Sequence, residues 1–127
     1  GVVTAVIIGI LYWFFGTELG HSVRATYLYS GMADLAAETG DEALADACRD
    51  LFEDMVNKKM YITGGLGSTH IGEAFTIPYD LPNDRAYAET CASIGMIFFA
   101  HILSVFYVKR FSEGILRIFS VQRQNSP

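Results

Sequence analysis

The chemistry that this sequence could perform centres on three residues in its second half, Glu73, Glu89 and Cys91. The run GEAF places Glu73 among small and apolar neighbours, a setting suited to a general acid, although a surface carboxylate is the ordinary alternative. Glu89 and Cys91 are two positions apart, so they lie on one side of an extended segment but about 200° apart on a helix. A carboxylate and a thiolate that converge favour zinc. We therefore expect the last helix to begin after Cys91.

Two further residues with reactive side chains fall on predicted helices. His21 begins an apolar helix face, so its ring is expected to point toward whatever that helix packs against. A hydrogen-bonded core histidine is the simpler interpretation of this placement. Cys48 lies within the apolar face of a second helix, which predicts a core cysteine rather than a reactive one.

The elements that position these residues are predicted from the spacing of apolar side chains. A first helix over positions 21–39 has one apolar face, made by His21, Ala25, Leu28, Met32 and Leu35. Gly40 stops this helix and Asp41 caps the next one. The second helix has its apolar face at Leu44, Cys48, Leu51 and Met55. The two helices together predict an αα-hairpin.

The helical period disappears between residues 62 and 87. This segment is rich in residues that break helices, namely Gly64, Gly65, Gly67, Gly72, Pro78 and Pro82. A loop of this length within a compact domain is usually functional or disordered, and Phe75, Tyr79 and Tyr87 favour an ordered, packed loop. No Gly-Lys-Ser/Thr follows the glycines, so they do not match a phosphate-binding loop. We expect an all-α fold of helical hairpins with one long glycine-rich loop.

Charge is distributed unevenly along the chain. The 127 residues include 14 acidic and 9 basic side chains, for a net charge of −5, yet residues 1–17 and 90–108 contain none. An acidic chain without a basic cluster argues against nucleic acid as a partner. The second uncharged run is long enough to span a membrane, which takes about 20 residues, but burial inside a larger helical protein is the preferred interpretation. We therefore expect a cytoplasmic protein, with membrane association as the alternative.

Three stretches of the sequence resemble a known enzyme family. In order between residues 20 and 95 stand GHSVRATYLYSGMADLAAETGD, YITGGLGSTHIGEAF and YDLPNDRAYAETCASIG. Together they resemble the catalytic domain of glycoside hydrolase family 127, the β-L-arabinofuranosidase family. The resemblance implies that the helices form part of an (α/α)6 barrel.

The resemblance also implies a reaction and a role for each candidate residue. Such enzymes are retaining exo-glycosidases that remove terminal arabinofuranose from a carbohydrate substrate, with a zinc-bound cysteine thiolate as nucleophile. By this resemblance Glu73 is the general acid/base, and Glu89 and Cys91 are zinc ligands. His21, in the GHSVR motif, lines the sugar pocket.

One part of the family pattern is missing from the sequence. The family's nucleophile belongs to an adjacent Cys-Cys pair downstream of the ETC motif, and these 127 residues contain no such pair. We expect residues 20–95 to be a partial glycosidase catalytic domain, residues 1–19 an apolar helix of uncertain origin, and residues 96–127 an apolar helix with a divergent tail. The fragment is expected to be inactive alone and to self-associate through exposed apolar surface. The alternatives are a small membrane-anchored helical protein and a helical interaction module.

Overall fold

The computed structural model describes the backbone of residues 21–124 and the side chains of residues 21–113. Most of this part of the chain is in three α-helices, α1 (Ser22–Thr39), α2 (Glu42–Asp54) and α3 (Thr90–Gln124). A π-helical turn, Met55–Lys59, extends α2, and a 3-10 turn, Ile71–Glu73, lies in the loop before α3. No β-strand occurs among the described residues, so the predicted all-α class is confirmed. The apolar helix predicted for residues 1–19 lies outside the described residues.

The turn between α1 and α2 forms as the sequence predicts. Gly40 adopts φ 68°, a left-handed conformation that suits glycine, and its N–H bonds to the Ala36 carbonyl at 2.9 Å. Asp41 then caps α2, because its carboxylate accepts a hydrogen bond from the Leu44 N–H at 3.0 Å. The two helices pack against each other as the predicted αα-hairpin.

The buried face of α1 differs from the predicted one. Two of its predicted members, Leu28 and Leu35, have 36% and 55% of their surface exposed. The buried face consists mostly of smaller side chains, at Ser22, Ala25, Thr26, Tyr29, Ser30, Met32, Ala33 and Ala36. These let α1 approach α3 so closely that a Cβ added at Gly95 would lie 2.9 Å from the Thr26 Cβ. Close contact between helix backbones therefore sets the rotation of α1, rather than the positions of its largest apolar side chains.

The start of α3 also differs from the prediction. The helix begins at Thr90, so the expectation that it begins after Cys91 is wrong. Extended pairing stops at Glu89, whose N–H bonds to the Leu66 carbonyl at 3.0 Å. The Glu89 carbonyl already accepts the first helical hydrogen bond, from the Ser93 N–H at 3.2 Å. Cys91 therefore lies in the first turn of α3 and not on the extended segment.

Over its described side chains, residues 90–113, α3 is buried along one side only. The buried side chains recur at helical spacing, at Ala92, Met96, Phe99, Leu103 and Phe106. Other apolar side chains of the helix are exposed, at Ile94, Ile97, Phe98, Val105, Tyr107, Val108 and Phe111. The helix continues to Gln124, so the backbone has no break at the boundary predicted between residues 95 and 96.

Cys48 lies in the core formed by the helices and the loop. Its side chain is fully buried, and burial raises the pKa of its thiol to about 11. A thiol with this pKa remains protonated and unreactive near neutral pH. The prediction of a core cysteine is confirmed.

Candidate active site

The glycine-rich loop packs back against the start of α1. Phe75 is 5% exposed and belongs to the core. Ala74 forms an isolated antiparallel bridge with His21, and the Ser22 hydroxyl donates to the Glu73 carbonyl at 2.9 Å. The packed loop is therefore confirmed. Of the three aromatic residues expected to pack it, only Phe75 is buried.

Glu73 is held in a strained backbone conformation with its carboxylate between two donors. Its φ of 50° lies in the left-handed region, which costs a residue other than glycine about 1 kcal/mol or more. The His21 Nε2 lies 2.8 Å from Oε2, and the Tyr87 hydroxyl donates to Oε1 at 3.1 Å. With 44% of its side chain exposed, Glu73 is in a polar, half-open setting and not in the apolar one expected from its sequence neighbours.

His21 precedes the first turn of α1 and closes one side of the site. Its side chain is 24% exposed, with Nε2 directed toward Glu73. Nδ1 is buried and has no hydrogen-bond partner. In the neutral ring, donation by the Nε2 proton leaves the lone pair on Nδ1. The expectation of a hydrogen-bonded histidine therefore holds for Nε2 only. Nδ1 is a buried acceptor without a partner.

Glu89 joins this group from the residue before α3. Its Oε2 is buried and also lacks a hydrogen-bond partner. Within the described part of the chain, His21, Glu73 and Glu89 form a cluster of possible metal ligands. One ligand atom from each residue lies within 4.8 Å of the other two. Unsatisfied buried acceptors are costly, and a cation that meets them removes the cost. One nitrogen and two carboxylate oxygens are donors that zinc accepts.

The structure does not bring Cys91 into this group of ligand atoms. Its side chain is exposed on the first turn of α3, and its sulfur is not one of the three atoms that lie within 4.8 Å of one another. The two residues predicted as a zinc pair are therefore placed differently. Glu89 belongs to the cluster, and Cys91 lies outside it.

Tyr87 belongs to the site, although the sequence did not single it out for chemistry. Its pKa is raised chiefly because its hydroxyl donates to Glu73, with further contributions from burial and from the charges of Glu73, Glu89 and Cys91. The Cys91 sulfur is thus within electrostatic reach of the site. The run AYAETC could have indicated this role for Tyr87. Tyr87 and Glu89 are two positions apart, so their side chains share a side of an extended segment.

Comparison with known sequences identifies relatives of this chain. Residues 13–109 match the family profile described as the β-L-arabinofuranosidase, GH127 catalytic domain. A non-reducing end β-L-arabinofuranosidase from Bifidobacterium longum subsp. longum is 49% identical over 84 residues. Those residues make up 66% of this chain and 13% of the relative.

Solved structures give the same result. A GH127 β-L-arabinofuranosidase from Geobacillus stearothermophilus T6 matches with 55% identity and a TM-score of 0.66, over 68% of this chain and 14% of that protein. A GH127 β-arabinofuranosidase matches with 50% identity and a TM-score of 0.67, over 70% and 14%. A third structure, of a glycoside hydrolase, matches with 35% identity and a TM-score of 0.63, over 70% and 18%.

These matches settle the fold and the family. The described helices are part of an (α/α)6 barrel, as the resemblance implied. The chain spans only 13–14% of the length of the β-L-arabinofuranosidases that it matches. The matched range, residues 13–109, contains every candidate site residue, namely His21, Glu73, Glu89 and Cys91. The chain is therefore a member of glycoside hydrolase family 127 and corresponds to part of its β-L-arabinofuranosidase catalytic domain.

Proposed function

We propose that this chain supplies the acid/base part of the active site of a retaining glycosidase that removes terminal β-L-arabinofuranose. The observation that carries the proposal is the convergence of His21, Glu73 and Glu89 from three separate motifs. The substrate class is supported by the relative from Bifidobacterium longum, whose name describes a β-L-arabinofuranosidase acting at non-reducing ends.

Glu73 is suited to act first as an acid and then as a base. In retaining hydrolysis a carboxyl group protonates the leaving oxygen and later takes a proton from the water that releases the sugar. The donors at His21 Nε2 and Tyr87 Oη hold both oxygens of the Glu73 carboxyl in place. Its 44% exposure leaves the group accessible to a sugar. His21 lies at the same opening, which suits a residue of the sugar pocket.

The attacking sulfur of such a reaction has no counterpart in this sequence. Cys48 is fully buried, and its raised pKa, about 11, keeps it as a thiol. The family's nucleophile belongs to a Cys-Cys pair, and this sequence has none. We therefore propose that the chain alone does not complete the reaction.

The donor types of Glu89 and Cys91, a carboxylate and a thiol, support zinc as the metal. The buried Oε2 of Glu89 has no protein partner, and Cys91 is exposed close by in the sequence. We propose that these two residues supply two of the four ligands that zinc commonly takes. When bound, zinc keeps coordinated cysteines deprotonated at neutral pH.

The proposal is tested by placing the segment in a complete enzyme. In the Bifidobacterium longum relative, the 84 matched residues are replaced by those of this chain, and hydrolysis of a nitrophenyl β-L-arabinofuranoside is measured. We expect the chimera to be active and Glu73→Gln to lower its kcat about 10²- to 10⁴-fold. The control, Glu38→Gln at the exposed end of α1, should leave kcat unchanged. A folded, active chimera that is unaffected by Glu73→Gln would refute the role of Glu73.

One observation favours membrane anchoring as a second candidate. In the described part of the chain, the segment Thr90–Glu113 is long and apolar enough to cross a membrane, and 33% of its apolar window is buried. Against membrane anchoring, one side of α3 packs against α1, as expected for a helix of a barrel. A carbonate wash of membranes from expressing cells separates the two, because an anchored chain stays with the lipid and a barrel fragment is released.

A further inference from the structure

We propose that Ser22 is a positioning residue, whose hydroxyl fixes the backbone of Glu73 and so keeps the Glu73 carboxyl between His21 and Tyr87. Ser22 acts through Glu73 only, because its hydroxyl bonds to the Glu73 carbonyl and not to the carboxyl. Its part in the reaction rests on the proposed role of Glu73 as the acid/base. Its contact with the loop is independent of that role.

The first argument is the burial and direction of the Ser22 side chain. Ser22 is the first residue of α1 and is fully buried, a position in which a hydroxyl needs a hydrogen-bond partner. Serines near the start of a helix commonly bond to nearby backbone groups. The Ser22 hydroxyl instead donates to the carbonyl of Glu73, 51 residues along the chain, at 2.9 Å. It therefore ties the start of α1 to the turn that carries Glu73.

The second argument is that this turn has only long hydrogen bonds of its own. The Glu73 N–H donates to the His70 carbonyl at 3.3 Å, and Thr69 and Ala74 exchange bonds of 3.4 and 3.2 Å. Ordinary N–H···O bonds are about 2.9–3.0 Å long, so these three are weak. The left-handed φ of 50° at Glu73 adds strain that they must hold. The 2.9 Å bond from Ser22 is the shorter tie on this backbone.

The third argument is that Gly67 encloses the Ser22 hydroxyl. Gly67 has φ 93°, and a Cβ added there would lie 3.1 Å from the Ser22 Oγ. The Gly67 carbonyl in turn accepts a hydrogen bond from the Ala88 N–H at 2.8 Å, next to Tyr87. Ser22 thus lies where α1, the turn of Glu73 and the segment before α3 meet. Removal of its hydroxyl would free the turn relative to both donors of the Glu73 carboxyl.

The consequence for catalysis is a loss of direction at the carboxyl. An acid/base must lie within hydrogen-bond reach of the atom that it serves, and a misplacement of about 1 Å costs about 10²-fold in rate. We therefore expect the loss of Ser22 to lower kcat and to leave KM unchanged. The effect should be smaller than that of Glu73→Gln, because the carboxyl is still present.

The experiment measures kcat and KM in the active chimera described above. Ser22→Ala should lower kcat about 10- to 100-fold and change KM less than about twofold. The matched control is Ser30→Ala, because Ser30 is also buried on α1 and its hydroxyl donates to the Thr26 carbonyl at 2.8 Å. It should leave kcat unchanged. If circular dichroism shows that Ser22→Ala unfolds, Ser22→Cys replaces it, since a thiol fills the space but is a weak donor.

A double-mutant cycle separates positioning from general structural support. In the Glu73→Gln chimera, Ser22→Ala should have little further effect on kcat, because the group that it positions is gone. A structural defect elsewhere would lower kcat by the same factor in both backgrounds.

Hydrogen exchange in the full 127-residue chain, followed by NMR, tests the contact without any activity. Ser22→Ala should speed the exchange of the Glu73 and Ala74 amides at least about fivefold, because the turn loses its tie to α1. Ser30→Ala should leave these two amides unchanged.

Three results would overturn the proposal. They are a folded Ser22 variant with unchanged kcat where Glu73→Gln lowers it, equal factors for Ser22→Ala in the two backgrounds, and unchanged exchange at Glu73 and Ala74. If Glu73→Gln itself has no effect on kcat, the proposed function fails instead. The exchange measurement then still decides whether Ser22 holds the turn.

Discussion

The tight contact between α1 and α3 offers a quantitative test of the packing. An alanine Cβ at position 95 would collide with the side chain of Thr26, lying 2.9 Å from its Cβ, and would lie 3.1 Å from Tyr27 Cδ2. Thr26 cannot easily move, because it is fully buried and its hydroxyl donates to the Val23 carbonyl at 2.9 Å. Gly95→Ala therefore forces the two helices apart.

The size of the effect follows from two opposing contributions. Overpacking of a tight interior costs about 1–3 kcal/mol, whereas replacing a glycine within a helix by alanine stabilises by about 1 kcal/mol. We expect Gly95→Ala to lose up to about 2 kcal/mol of unfolding free energy. The matched control is Gly31→Ala on α1, where an added Cβ meets no atom within 4 Å. It should gain up to about 1 kcal/mol, so the difference between the two variants measures the collision.

The assay is urea unfolding followed by circular dichroism. Thr26→Ala combined with Gly95→Ala should recover part of the loss, which a double-mutant cycle records as a favourable coupling. If Gly95→Ala is as stable as Gly31→Ala, the close approach of α1 and α3 is wrong.

Individual residues elsewhere allow four other measurements. Cys91 should react with a thiol reagent in the native chain, whereas Cys48 should react only after unfolding, and equal rates would contradict its burial. Because folding raises the Cys48 pKa from 9.0 to about 11, its stabilising contribution is complete below pH 9 and is lost as the pH rises toward 11. The urea midpoint of Cys48→Ala should therefore fall less between pH 9 and pH 11 than that of the parent chain. Asp41→Ala should cost about 1 kcal/mol of unfolding free energy, and an unchanged urea midpoint would show that the cap does not stabilise α2. The exposed apolar side of α3 should cause self-association in sedimentation, which Ile97→Glu weakens and the control Ile62→Glu, in the exposed part of the loop, does not. Equal sedimentation of those two variants would place the contact elsewhere.

The turn between α1 and α2 and the burial of Cys48 were both predicted correctly from nearby residues in the sequence. Gly40 and Asp41 supply a left-handed turn and a cap from their own side chains and backbone, so no distant contact is needed to specify the hairpin. Cys48 falls on an apolar helical period, and its burial follows from that period.

The rotation of α1 could not be predicted in this way. Periodicity shows which residues share a face, but the packing partner selects the face that is buried. The close approach at Gly95 selects the smaller side chains of α1, and Leu28 and Leu35 remain outside. The start of α3 was missed for a related reason. The two-residue spacing of Glu89 and Cys91 gives a shared side only if the backbone stays extended, and the pairing of the loop ends at Glu89.

The sequence named the three residues of the cluster, His21, Glu73 and Glu89, but it did not predict how they are arranged. The roles proposed for His21, Glu73 and Glu89 come from the resemblance to a family, because no spacing rule connects residues so far apart in the chain. The approach of His21 Nε2 to Glu73 depends on the loop folding back onto α1. Tyr87 was missed because its hydrogen bond to Glu73 also requires that folded loop.

The left-handed backbone at Glu73 has a practical consequence. Glycine adopts φ 50° without strain, so Glu73→Gly removes the carboxylate and at the same time relaxes the turn that carried it. The donors at His21 and Tyr87 would then face a space the size of a small carboxylate. If Glu73 is the acid/base proposed above, formate or acetate from solution should occupy that space and restore turnover in the Glu73→Gly chimera. Position 73 is thus suited to chemical rescue, in which the added carboxylic acid replaces the proposed acid/base and its pKa can be varied.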